Sequence, residues 1–243
     1  MSKVIKIDDT EVYVAEPSQE VKGGLIVIHE IWGLNNHTKD VADRFARQGY
    51  LVYAPELLSG MAIKEKVDEQ MQHDLFNPEK RSAVQPVLME LMQPTQTPEF
   101  TAKTIIKLQA VFNALYASPA VKQRVGIVGF CFGGSYCFNL AVVEPRLKAA
   151  VPFYGHCGHP VEKLRKINAP ILAFYGENDR GLATELPDLE NRMHAASVDF
   201  SYRVYANTGH AFFNDTNPYA YDKTAATDAW RRTLEFLDNS ISR

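Results

Sequence analysis

The stretch VGIVGFCFGGSYCFNL, Val125–Leu140, decides the fold. Its β-branched run Val125–Val128 reads as a buried strand that stops at Gly129. The glycine-rich turn Gly129-Phe130-Cys131-Phe132-Gly133-Gly134 follows with one nucleophile in it, and Ser135–Val143 reads as a buried helix. A strand, a sharp turn bearing a nucleophile and a helix make the G-x-S-x-G arrangement, here with cysteine in place of serine. The nucleophile in such a turn takes a strained backbone conformation. Its neighbours two positions away must lack side chains so that strand and helix can close on each other. The turn also sets the sulfur at a helix N-terminus, where unpaired N–H groups and the dipole favour thiolate. The same six residues also allow a buried structural cysteine, the less favoured reading, and the rest of the chain weighs against it.

Upstream, Lys3–Ile7 and Glu11–Ala15 alternate apolar and polar residues around the turn Asp8-Asp9 and predict an antiparallel hairpin. Leu25–Ile28 is a short, wholly apolar run of the parallel-sheet kind. It ends in His29-Glu30-Ile31-Trp32-Gly33-Leu34-Asn35, a loop with two ionisable groups. Thr38–Gln48 predicts a helix capped at Gly49, and Tyr50–Ala54 a strand closed by Pro55. From Glu56 to Gln96 the pattern weakens. Pro78, Pro86 and Pro94 break it into short helices and loops, an excursion of the kind that often lies over a site. Thr97-Pro98-Glu99 then starts a helix that continues through Leu115.

Downstream, strands are predicted at Ala149–Tyr154, Pro170–Tyr175 and Phe200–Tyr205, with helices at Glu185–Ala195 and Tyr219–Asn239. Strands alternating with helices, without repeats or a flexible linker, predict one domain over 1–243. Its core would be a mostly parallel, twisted sheet with helices on both faces, a three-layer α/β fold.

Bulk properties narrow the function. The chain has 243 residues, 46% hydrophobic and 23% charged, as in ordinary soluble globular proteins. Its 26 basic and 29 acidic residues give a net charge of −3 with no basic stripe, which argues against nucleic acid as a partner. No apolar run approaches the ~18 residues needed to span a bilayer, and the N-terminus lacks the apolar core of a secretory signal. Three cysteines do not make a disulfide framework. Cys131 and Cys137 fall on different faces of the turn and helix. A reducing cytoplasm fits these features.

Three strand ends carry the chemistry. Cys131, Asp179 in Gly176-Glu177-Asn178-Asp179-Arg180, and His210 in Asn207-Thr208-Gly209-His210-Ala211-Phe212-Phe213 each follow a predicted strand. Open α/β sheets place their sites beyond the carboxyl ends of their strands. Nucleophile, acid and histidine occur in the chain order of the α/β-hydrolase triad. Cysteine attacks acyl carbon only with a lowered pKa or an adjacent base. His210 supplies the base, and Asp179 would hold its tautomer.

At these residues the chain resembles the dienelactone hydrolases (carboxymethylenebutenolidases) of the α/β-hydrolase fold, over nearly its whole length. The resemblance rests on His29–Asn35, Gly129–Gly134, Phe153-Tyr154-Gly155, Gly176–Asp179 and Gly209-His210-Ala211-Phe212. It implies a cofactor-free hydrolase of small lactones or esters, acting through a thioester on Cys131, with His210 as base and Asp179 as its orienting acid. It further implies that Glu30 contacts the resting thiol and that the N–H groups of Ile31 and Phe132 form the oxyanion hole.

One position departs from the resemblance. Members that act on dienelactone carry an arginine four residues after the triad histidine, where this chain has Asn214. An amide supplies neither charge nor the bidentate fork. Arg81 and Arg180 are candidates for the missing charge, and Trp32, Tyr154 and Phe212 for further substrate contacts. Phe130, Phe132, Tyr154, Phe212 and Phe213 would line an apolar pocket or fill the core. His156-Cys157-x-His159 supplies at most three ligands on a short loop and is read as pocket lining, not as a metal site. Two other readings stand beside the lactone or ester hydrolase. One is an esterase or thioesterase on another activated acyl group, the other a non-catalytic binding protein on the same fold. A cysteine protease is disfavoured, because nothing reads as a peptide-binding extension. A monomer and a homodimer are both compatible with the sequence.

Overall fold

The computed structural model describes residues 2–241. Its eight strands are β1 (Ser2–Ile7), β2 (Thr10–Ala15), β3 (Gly23–Ile28), β4 (Tyr50–Pro55), β5 (Val125–Phe130), β6 (Ala149–Phe153), β7 (Ile171–Gly176) and β8 (Phe200–Tyr205). They form one sheet in the order β1-β2-β4-β3-β5-β6-β7-β8. Strands β3 to β8 run parallel, and only the N-terminal hairpin is antiparallel, β2 pairing with β4. Chain order reverses between β3 and β5, which is where such sheets open a crevice beyond their carboxyl ends.

Period-two alternation sends each strand's side chains to two separate cores. Ile26, Ile28, Val125 and Ile127 face one core, built with α5 (Pro98–Tyr116), α6 (Phe132–Val143) and α9 (Leu186–Ala195). Leu25, Val27, Val128 and Phe130 face the other, covered by α1 (Asn36–Arg47) and α10 (Lys223–Ile241). The result is three layers, the α/β-hydrolase fold. Caps at two helix starts follow the sequence: the Asn35 and Thr97 side chains accept the N–H groups of Thr38 and Phe100. The closing helix starts at Lys223, four residues later than its apolar pattern suggests, because Asp222 accepts the Ala225 N–H there.

The weakly patterned segment holds three helices, α2 (Ala62–Lys66), α3 (Glu69–Phe76) and α4 (Arg81–Met92), then a 3-10 turn, Gln93–Gln96. Pro86 lies inside α4 rather than ending it. It is exposed, so the carbonyl left without an N–H partner faces water. This segment packs a small third core, in which Ile63, Val67 and Leu88 meet Ile31 and Trp32. Two short helices, α7 (Val161–Leu164) and α8 (Arg180–Ala183), complete the chain.

Candidate active site

The β5–α6 turn is shaped by backbone packed on backbone. A Cβ on Gly133 would lie 2.5 Å from the Ile28 carbonyl oxygen, and one on Gly129 would lie 2.2 Å from that of Gly133. Cys131 sits between these close approaches at φ 53°, a left-handed conformation costing an L-residue roughly 1–3 kcal/mol. Its own N–H donates to Phe153 O at 3.0 Å, and the Gly133 N–H donates to His29 O at 3.1 Å. The Phe132 N–H between them belongs to the first helical turn, where no intrahelical acceptor exists. Among the described residues no backbone acceptor takes the Phe132 or the Ile31 N–H.

The acid and the histidine meet because two loops lie directly on each other. A Cβ on Gly176 would fall 2.4 Å from Thr208 O, so only glycine lets the β8 loop approach the end of β7. The Asn178 N–H donates to Thr208 O at 2.9 Å and fixes that approach. His210 Nδ1 is hydrogen-bonded to Asp179 Oδ2, and the ring lies beside Cys131, with which it lines the same cavity. Burial alone would lower the imidazole's pKa. The Cys131 sulfur and the Asp179 carboxylate outweigh it and hold His210 well above its ordinary value. An imidazole protonated beside a sulfur and orientated by a carboxylate can stabilise an anionic nucleophile and deliver its proton to a leaving group.

These three side chains open into a cavity of about 570 Å³, the size of a small-molecule site. Ile31, Phe132, Tyr136 and Leu182 give it apolar walls, and Met92, Thr95 and Gln96 from the end of the excursion close one side. Of the candidate substrate contacts, Tyr154 alone lines this cavity. Trp32 is buried in the excursion's core, and Phe212 is fully buried among Tyr154, Phe153 and Tyr205. Arg81 is exposed at the start of α4, and Arg180 is exposed beside the rim. Asn214, read from sequence as a stand-in for a substrate-gripping arginine, is also buried. Its Nδ2 donates to Glu30 Oε2 at 2.8 Å.

Glu30 is therefore held from two sides, since Tyr154 OH donates to its Oε1 at 3.2 Å. The Glu30 oxygens thus accept from Tyr154 and Asn214. Burial comes first in pushing the Tyr154 phenol up, and Glu30 and Cys131 beside it add to the effect, so it remains a donor. Tyr154 reaches this place with φ 39°, a backbone strain that composition does not reveal. His29 is a second residue that sequence reading left without a role. Its Nε2 accepts the Leu57 N–H at 3.1 Å, so Nδ1 carries the proton and donates to Glu30 O at 2.5 Å. Burial lowers its pKa, and its neutral ring stacks parallel to Phe132 with centroids 5.6 Å apart.

The His156–His159 loop diverges instead of converging. His156 Nδ1 pairs with Glu185 at 2.8 Å, and His159 Nε2 with Asn139 Oδ1 at 2.7 Å. The guanidinium of Arg192 donates to the carbonyls of Cys157 and His159. His156 lines the cavity, as its place after β6 suggests.

The sequence profile of the dienelactone hydrolase family matches residues 10–241. The chain belongs to the dienelactone hydrolase family. It is 33% identical over 240 residues to the "Putative carboxymethylenebutenolidase" of Saccharolobus solfataricus (strain ATCC 35092 / DSM 1617 / JCM 11322 / P2), covering 93% of this chain and 92% of that protein. A protein of the same name from Escherichia coli (strain K12) is 31% identical over 243 residues, with 95% and 82% covered. Among solved structures, the "Putative Dienelactone Hydrolase" of Klebsiella pneumoniae subsp. pneumoniae MGH 78578 superposes with a TM-score of 0.81 at 26% identity, covering 98% of each chain. Like its family, the chain is a hydrolase of ester bonds. Among the described residues no helix is long and apolar enough to cross a membrane.

Proposed function

We propose that this family member hydrolyses small lactones or esters through a Cys131–His210–Asp179 triad and a thioester on Cys131. The observation that carries the reading is the continuous path from carboxylate to imidazole to thiol, which ends on the cavity wall. The thiolate attacks the acyl carbon, and the developing oxyanion lies against the Ile31 and Phe132 N–H groups. Removing a single such donor elsewhere costs about 10²–10³ in rate. The C–O bond then breaks, and His210 passes its proton to the departing oxygen. Next, a water attacks the thioester while His210 takes its proton. The carboxylic acid leaves, and the thiolate–imidazolium pair is restored. Glu30 acts here as a positioning residue: its carboxylate fixes Tyr154 at the cavity wall, and its carbonyl fixes His29. The whole chain works as one domain, with 56–96 as a cover over the cavity.

The test is mass spectrometry of the protein mixed with p-nitrophenyl acetate, with p-nitrophenol release followed in parallel. One acetyl group is expected transiently on Cys131. Cys131→Ala is expected to show no adduct and a rate lower by roughly 10⁴ or more. Turnover that persists in Cys131→Ala overturns the reading.

A further inference from the structure

The charge of the cavity wall says more about the substrate than the triad does. None of the described residues lining it is a lysine or an arginine. Its acidic and basic side chains besides Cys131, His210, Asp179 and the phenols of Tyr136 and Tyr154 are His156 and Glu185, paired with each other at 2.8 Å and each about half exposed. Glu185 therefore stands at the rim with His156 as its partner, and Arg180, exposed beside the rim, does not line the cavity. Asn214 lies behind Glu30 and donates to it, so no amide from that position reaches the cavity. The uncharged polar groups on the wall include, besides the Tyr136 and Tyr154 hydroxyls, the side chains of Gln96, Thr95, Thr101, Ser135 and Asn139. Asn139 gives its oxygen to His159, which leaves its amide N–H groups for an acceptor in the cavity. A carboxylate brought into this space meets an acid at the rim, and the one cation on the wall, the His210 imidazolium, is already paired with Asp179 and Cys131.

Resting on the triad reading, we propose that this site takes esters whose acyl part is uncharged, and that Glu185 at its rim discriminates against carboxylate-bearing substrates. An apolar acyl chain lies along Ile31, Phe132 and Leu182, and a neutral carbonyl or ether oxygen on it accepts from Asn139. Lactones that carry a free carboxylate are poor substrates by the same argument.

A matched pair tests this: mono-p-nitrophenyl adipate, an anion at neutral pH, and its neutral methyl ester. The two differ by one methyl group, so size does not confound charge. The expected result is a kcat/KM at least tenfold higher for the neutral ester, equivalent to about 1.4 kcal/mol. In Glu185→Gln the gap narrows, through a lower KM for the anion. Added salt narrows it in the unaltered protein, because half-exposed charges are screened. Equal turnover, or preference for the anion, overturns the charge proposal and leaves the triad reading standing. A gap that Glu185→Gln does not alter removes Glu185 as its source. No turnover and no adduct with either ester removes the triad reading, and the specificity argument falls with it.

Discussion

Two regions meet at the cavity and are held by different means. At the β5–α6 turn, carbonyl groups of one segment lie where side chains of the next would be, and glycines at 129, 133 and 134 are what make room. Across 56–96, side chains hold the chain: α2 buries only Ile63, α4 buries only Leu88, and α3 buries nothing completely. Most of that region's apolar contact is with Ile31, Trp32 and itself. Reacting atoms have to be placed to a fraction of an ångström, which rigid elements do best. A wall that admits a substrate comes from the less stable end of a structure. The same cavity uses both, the turn for Cys131 and the excursion for Met92, Thr95 and Gln96.

The sharpest way to break this contrast is a methyl group at the turn. In Gly133→Ala the new Cβ meets Ile28 O at 2.5 Å and His29 O at 2.8 Å, and neither backbone atom has a rotamer to escape into. We expect a loss of about 3 kcal/mol, at the upper end of overpacking costs. The measurement is the denaturant midpoint with its slope unchanged. A midpoint close to that of the unaltered protein would show that the turn yields, and the contrast would fail.

That difference also explains what the sequence alone conveyed. Five of the six parallel strands were legible because each is a short apolar run bounded by glycine, proline or a polar loop, as at Leu25–Ile28, whereas β8 alternates Phe200, Tyr202 and Val204 with Ser201 and Arg203. The placement of Cys131, Asp179 and His210 at strand ends was legible because those ends share one edge of the sheet. The substrate wall was not. Whether Asn214 faces a ligand or the back of Glu30 depends on a loop turning over between Ala211, at φ 61°, and α10, and a residue's identity does not reveal that turn. Trp32 and Phe212 look like pocket aromatics by proximity to motifs, yet both are consumed by packing. Arg81 was a reasonable source of charge only while the direction of α4 was unknown.

A middle-sized effect is expected at the fastening between the two regions. The Glu56 carboxylate accepts the Leu34 N–H at 2.9 Å and the Leu58 N–H at 2.8 Å, pairs with Lys64 of α2, and lies 3.9 Å from His29. Burial would raise its pKa, but the Lys64 ammonium and the two N–H groups outweigh that and hold it below its ordinary 4.5. The folded value lies below the unfolded one, so the fastening contributes fully above pH 4.5 and is lost as pH falls through the folded value. Trp32 sits in the core beside it and reports on it. In a Trp230→Phe background it is the only tryptophan. Its emission is expected to shift red on acidification below pH 4.5, and Glu56→Gln is expected to show part of that shift already at pH 7. An unchanged spectrum in Glu56→Gln would mean that the carboxylate does not fasten the excursion.

The smallest effect is expected at the other kind of glycine. Gly60 has φ +75°, positive like that of Cys131 at the turn, but nothing lies within 4 Å of where its Cβ would be. Alanine there meets the left-handed penalty of roughly 1–2 kcal/mol. It recovers about 0.4–1 kcal/mol because the unfolded chain loses freedom too. The net change expected in Gly60→Ala is a destabilisation of about 1 kcal/mol or less, read from the same denaturant midpoint. If the excursion opens before the sheet does, the global midpoint will not move, while cleavage by a protease within 57–66 will quicken. Glycines 133 and 60 thus separate two reasons for the same residue. One is demanded by its neighbours and the other only by its own backbone, and a loss at Gly60 as large as that at Gly133 would show that the excursion is built as tightly as the turn.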